Sequence, residues 1–134
     1  MYKIEKTGYG VKLVFSGLIH ADEMKKWVTE SEKISKSLPP KFGVFVDMRE
    51  LKPLDPEAQE VMQIGQRLYK GAGMERSVVI LANTVLTMQF KRLAKETGIY
   101  EWERYIDASK NAQWEETGKK WLVNNIDPDA KLAA

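Results

Sequence analysis

The sequence predicts an α/β fold: a mostly parallel, five-stranded sheet flanked by helices, in the order ββαβαβαβα. Three observations predict it. "FGVFVDM" and "RSVVILAN" are short, nearly continuous apolar runs rich in β-branched and aromatic residues, the pattern of strands buried on both faces. Amphipathic helical stretches lie between and around them, and strands alternating with helices require right-handed crossovers within a parallel sheet. The start alternates apolar with polar residues on either side of Gly8-Tyr9-Gly10, a hairpin that adds one antiparallel strand.

Each element follows in turn. In the hairpin, Tyr2 and Ile4 share one face of the first strand, and Val11, Leu13 and Phe15 share a face of the second. Lys3 and Lys12 suit a solvent face or an exposed edge. "HADEMKKWVTESEKISKSL" is a helix with Met24, Trp27, Val28, Ser31 and Leu38 at helical spacing, acids in its first turn, and Pro39-Pro40 to stop it. After "FGVFVDM", the stretch "PEAQEVMQIGQRLYKGAG" is a helix with Asp55 as N-cap, Pro56 at its first position and Gly71 or Gly73 beyond its end. "TVLTMQFKRLAKETG" follows the next strand, with Thr84 as a candidate N-cap. Its apolar set, Val85, Leu86, Met88, Phe90, Leu93 and Ala94, is wider than one core face needs. "ERYID" is a short last strand, and "SKNAQWEETGKKWLVNN" is the last helix. Residues 1–126 form one domain and 127–134 a flexible C-terminal tail.

The chain has 134 residues, 43% hydrophobic and 30% charged, the balance of an ordinary globular domain. No apolar run nears the roughly 20 residues of a membrane helix, and the N-terminus lacks a signal-peptide pattern. The absence of cysteine fits a reducing compartment, so the expected location is the cytoplasm. A net charge of +2 gives no case for nucleic acid. The charge is nevertheless uneven. Arg67, Lys70, Arg76, Lys91, Arg92 and Lys95 precede an acidic stretch with Glu96, Glu101, Glu103, Asp107, Glu115 and Glu116. Solvated helix faces explain this pattern, as does a dipolar surface that orients a partner.

Catalytic signatures are missing. The one histidine, His20, begins a helix, and no G-x-S-x-G elbow exists. One histidine without cysteine makes a zinc site improbable. Gly71-Ala72-Gly73 precedes a strand and lacks a third glycine, so it is no dinucleotide fingerprint. No catalytic residue, metal site or cofactor is expected. Asp47, Arg49, Asp55 and Glu57 flank the loop at the carboxyl end of the sheet, where α/β proteins usually bind ligands. They are the candidate binding residues. An Asp–Arg pair that orders the loop, and a helix cap at Asp55, explain the same residues without a ligand. Trp27, Trp114 and Trp121 fall on helix stripes and are expected in the core. Trp102 is off any stripe. Together with Met88, Lys91, Arg92 and Lys95 it is the candidate interaction surface.

The order of elements resembles the STAS domain, and more closely the SpoIIAA-like (STAS/CRAL-TRIO-related) family of small bacterial proteins. The resemblance rests on "VDMREL" after a buried strand, "GMERSVVI", "AKETGI" and the final "WL", and it covers almost the whole chain. It implies a non-catalytic regulatory or protein-interaction domain with a protein partner or a second copy as its partner. It also implies a phosphorylatable Ser or Thr at the start of the helix after the central strand. This chain departs from that pattern: it has no Ser or Thr from Phe42 to Arg76. The alternative function is a carrier of a small apolar ligand or lipid, as in CRAL-TRIO relatives, motivated by Met24, Met62, Met74 and Met88 with Leu86 and Phe90. An enzyme using Asp47, Arg49 and Asp55 ranks last, for want of a nucleophile.

Overall fold

The computed structural model describes residues 1–130; positions 131–134 of the expected tail lie outside the described residues. The fold is α/β, a mixed and mostly parallel five-stranded sheet with four helices. The strands are β1 (Tyr2–Lys6), β2 (Gly10–Gly17), β3 (Phe42–Leu51), β4 (Met74–Leu81) and β5 (Glu103–Asp107). The helices are α1 (Ala21–Ser35), α2 (Pro56–Ala72), α3 (Thr84–Thr97) and α4 (Trp114–Asn124), with a short 3₁₀ turn at Tyr100–Trp102. Spatial order equals chain order, β1-β2-β3-β4-β5, and only β1–β2 is antiparallel.

Sequential crossovers of one hand put α1, α2 and α3 on the same face. Alternation along each strand then divides the core. Val11, Leu13 and Phe15 of β2, Val44, Val46 and Met48 of β3, and Val79 and Leu81 of β4 meet Met24, Trp27, Met62, Tyr69 and Phe90 of the three helices. Tyr2 and Ile4 pair with Phe15 and Leu13 and point the same way. Phe45, Val78, Ile80 and Ile106 point to the other face, where Trp121 and Leu122 of α4 cover them.

Several boundaries differ from the sequence expectation. Helix α1 ends at Ser35, ahead of the prolines, because Ser35 Oγ and Ser37 Oγ donate to the carbonyls of Glu32 and Ile34 and close its last turn. Asn83, not Thr84, caps α3: its Oδ1 accepts from the Leu86 N–H at 2.9 Å. Helix α4 starts at Trp114 rather than near Ser109, since Asp107 and Asn111 turn the intervening chain through bonds to Ser109 N–H and Gln113 N–H. Strand β3 runs on to Leu51, because β2 continues past an irregularity between Val14 and Ser16 and pairs with Glu50 and Leu51. Asp47 and Arg49 are therefore strand residues. Asp55 does cap α2, accepting from Ala58 N–H at 2.8 Å, and Gly73 closes its end at φ 120°, a conformation that favours glycine. No helix among the described residues is long and apolar enough to cross a membrane.

Candidate functional site

The sheet's carboxyl end separates the residues that the sequence grouped there. Asp47 and Arg49 project to the α4 face. Asp47 is buried, and its carboxylate takes bonds from Arg49 N–H, Nε and Nη2 at 3.0–3.1 Å. The Arg49 guanidinium then lies 4.1 Å from the centre of the half-buried Trp114 ring. Asp55 belongs to the other face. Besides its cap, it meets His20 Nδ1 at 3.1 Å, which links the starts of α1 and α2. The Ala58 N–H, then His20, hold its carboxyl below the usual range. Glu57 is exposed in the first turn of α2. Both aspartates are thus engaged in local structure, and neither faces the other across a common pocket.

The second candidate group is drawn closer together. Val85, Met88, Lys91 and Lys95 recur at three- and four-residue spacing along α3 and form one stripe. Val85 is 57% exposed and Met88 67%; Trp102, in the 3₁₀ turn after α3, is 51% exposed. Lys91 Nζ sits 5.5 Å from the ring centre of Tyr105, and Lys95 Nζ 4.8 Å from that of Tyr100. Arg92 turns away from the stripe, to Glu96 one turn on in α3 and Gln59 of α2.

Under this stripe lies a group that sequence reading missed. Glu103 opens β5 beside Ser77 of β4. It is only 5% exposed, although it is a carboxyl group at the edge of the sheet. Ser77 Oγ donates to its Oε1 at 2.9 Å and Tyr105 Oη donates to its Oε2 at 2.5 Å. Burial pushes the Glu103 carboxyl up to about 7, against the two hydrogen bonds, which pull it down. Burial together with the neighbouring Glu103 carboxyl also raises Tyr105. Period-two alternation in "ERYID" was the available signal: it places Glu103, Tyr105 and Asp107 on one side, and that side faces α3.

Glu103 separates two spaces. Inward is a cavity of about 30 Å³ between the sheet and α1–α3, bordered by Trp27, Met62, Gln66, Ser77 and Phe90. Outward is a surface cleft of about 340 Å³ lined by Lys91, Tyr105, Glu101, Arg104, Asp127 and Asp129. Asp127, within the expected tail, receives Arg104 Nε and Nη2 at 2.8 and 3.0 Å, and a third donor of Arg104 covers the carbonyls of Glu101 and Glu103. That guanidinium shields part of the free edge of β5.

The chemistry on offer is limited. Glu103 can hold or release a proton near neutral pH, but its oxygens are taken by neighbours and no activated nucleophile adjoins it. Among the described residues, no three of His, Cys, Asp and Glu are grouped to hold a metal ion. The cleft instead gathers charged side chains of both signs with Tyr100 and Tyr105. Comparisons of the chain with protein-family models, with curated proteins and with solved structures find no match.

Proposed function

We propose that this chain is a non-catalytic regulatory or interaction domain of the STAS-like kind, and that it associates with a second copy of itself through the α3–β5 surface. The observation that supports the reading is the exposed apolar stripe of α3, Val85 and Met88, continued by Trp102 beyond the helix. Lys91 lines the adjoining cleft, with Lys95 over the ring of Tyr100, and Glu101, Asp127 and Asp129 line the same cleft. A two-fold axis through such a surface can set the lysines of each copy against the acids of the other. The helix after the central strand opens with Asp55 instead of Ser or Thr, so control by a phosphate at that position is no part of the proposal.

Sedimentation equilibrium tests it. The expected result is a concentration-dependent dimer, weakened on the order of tenfold by Lys91→Glu with Lys95→Glu. Arg92→Glu is expected to change association little, because Arg92 faces Glu96 and Gln59. A monomer at every concentration, or equal sensitivity to Arg92→Glu, counts against this surface. The carrier alternative has less support. The inner cavity of about 30 Å³ is an order of magnitude below the roughly 300 Å³ that small-molecule pockets start from. Of the methionines that motivated it, Met24 and Met62 are buried core and Met88 is exposed.

A further inference from the structure

We propose that Glu103, Tyr105 and the main-chain carbonyl of Phe90 form a protonation-controlled latch between β5 and α3, which regulates the surface assigned above to association. The consequence for association rests on that assignment; the latch itself exists within a single copy.

The geometry is a competition for one proton. Tyr105 Oη has a single hydrogen and two acceptors, Glu103 Oε2 at 2.5 Å and Phe90 O at 3.4 Å. Ser77 Oγ already donates to the other carboxyl oxygen. When Glu103 is ionised, it accepts from both hydroxyls and the Tyr105 hydrogen is committed to it. When Glu103 takes up one proton, Oε2–H becomes a donor to Tyr105 Oη. The Tyr105 hydrogen then turns to Phe90 O. Nothing is lost from Tyr105; one solvent proton enters, and one hydroxyl reorients.

Phe90 is buried in α3, and the next residue, Lys91, rests its ammonium on the Tyr105 ring. A tighter bond from Tyr105 to the Phe90 carbonyl therefore draws β5 toward the helix face that carries Lys91. Proton access is available, since Glu103 borders the outer cleft as well as the inner cavity. The charged and titratable groups around it are accounted for element by element. Helix α3 presents Lys91, with Lys95 on Tyr100. The 3₁₀ turn presents Tyr100 and Glu101, and β5 presents Tyr105 and the Asp127-paired Arg104. The C-terminal segment adds Asp127 and Asp129, β4 presents the neutral Ser77, and α2 presents Gln66 and Tyr69, whose hydroxyl is pushed up by burial and donates to Ser31 Oγ. Two bases line the outer cleft with Glu103: Lys91 points its charge at the Tyr105 ring, and Arg104 is paired with Asp127. Burial places the Glu103 transition near neutrality.

The test is carbon- and nitrogen-detected NMR of the dilute, labelled protein between about pH 5 and about pH 9, a range that brackets the Glu103 transition. The expected result is a Glu103 carboxyl midpoint near 7, with the Phe90 carbonyl and the Lys91 amide moving at the same midpoint. In Tyr105→Phe, Glu103 is expected still to titrate while Phe90 and Lys91 stay flat. In Glu103→Gln, both are expected to be flat. If that variant fails to fold, Tyr105→Phe decides alone, because it keeps the ring and loses only the hydroxyl. The dimer constant is expected to differ roughly three- to tenfold between the two protonation states in the wild type and not in Tyr105→Phe, the range one neutral hydrogen bond supplies. A flat Phe90 carbonyl across the Glu103 titration overturns the latch, as does a response that survives in Tyr105→Phe. A monomer at all concentrations overturns the association reading alone, because the latch signals come from the single copy.

Discussion

Glu103 is an acid kept from water at the edge of a sheet, and this has a consequence for stability that is independent of any partner. In the folded chain it holds its proton up to about pH 7, whereas its ordinary value is 4.5. Between those values the native state binds more protons than the unfolded chain, so stability falls as pH rises. The contribution is fully present below about pH 4.5, declines through the window and is gone above about pH 7. Integrated over the shift it amounts to about 3 kcal/mol. Glu103→Gln is neutral throughout. Denaturant unfolding of both proteins at several pH values is expected to show the wild type losing up to that amount relative to the variant on going from acid to neutral pH. Parallel curves would mean that Glu103 titrates alike in both states. Asp47 is buried as well, and three donors of Arg49 in the same strand surround its carboxyl group.

At the scale of elements, close approach decides more than propensity does. Gly65 lies in the middle of α2, where the ring of Trp27 from α1 sits directly over its backbone. Alanine is the better helix former there by about 1 kcal/mol. Its Cβ would run into the Trp27 six-membered ring, which Phe15 and Tyr69 hold in place. Overpacking of this kind costs about 1–3 kcal/mol, so Gly65→Ala is expected to destabilise by up to roughly 2 kcal/mol net. A raised midpoint in denaturant would show that the α1–α2 pair can part without penalty. Elements of this sort were the legible part of the chain. Buried strands, the Asp55-Pro56 start of α2 and the glycine stop at Gly73 are each written in a few adjacent residues. What was not legible depends on tertiary placement. Whether Ser35 and Ser37 or Pro39 ends α1 turns on which hydroxyls find a carbonyl. Trp114 lies on a helix stripe and packs against the Phe45 cluster, yet it stays half-buried, with Arg49 of a neighbouring strand over its ring. Asp55 and Asp47 are close in sequence, yet β3 sends one to each side of the sheet.

Across the whole molecule, the two faces of the sheet are unequally covered, and this ranks the parts by how readily they open. Three helices bury one face, with Trp27, Phe15, Phe90 and Met62 at its centre. The other face has α4 alone, over β3, β4 and β5, with a core of Phe45, Val78, Ile80, Ile106, Trp121 and Leu122. The attachment of α4 is specific: Trp121 Nε1 donates to the Ser77 carbonyl at 2.9 Å, and Arg76 Nη2 donates to the Leu122 carbonyl at 2.8 Å. Arg104 lies 4.3 Å from the centre of the Trp121 ring, which ties the helix to the edge strand as well. Local opening follows the element with the least burial and the fewest ties. Native-state hydrogen exchange is therefore expected to show α4 amides opening at lower free energy than those of α2. Trp121→Phe keeps a ring but removes the bond to Ser77, worth about 1 kcal/mol, so α4 exchange is expected to rise about fivefold with α2 unchanged. Equal opening energies for α2 and α4 would instead make the two faces one cooperative unit. The mutation would then speed both helices together, and the single helix on the thin face would owe its stability to the sheet as a whole rather than to its own contacts.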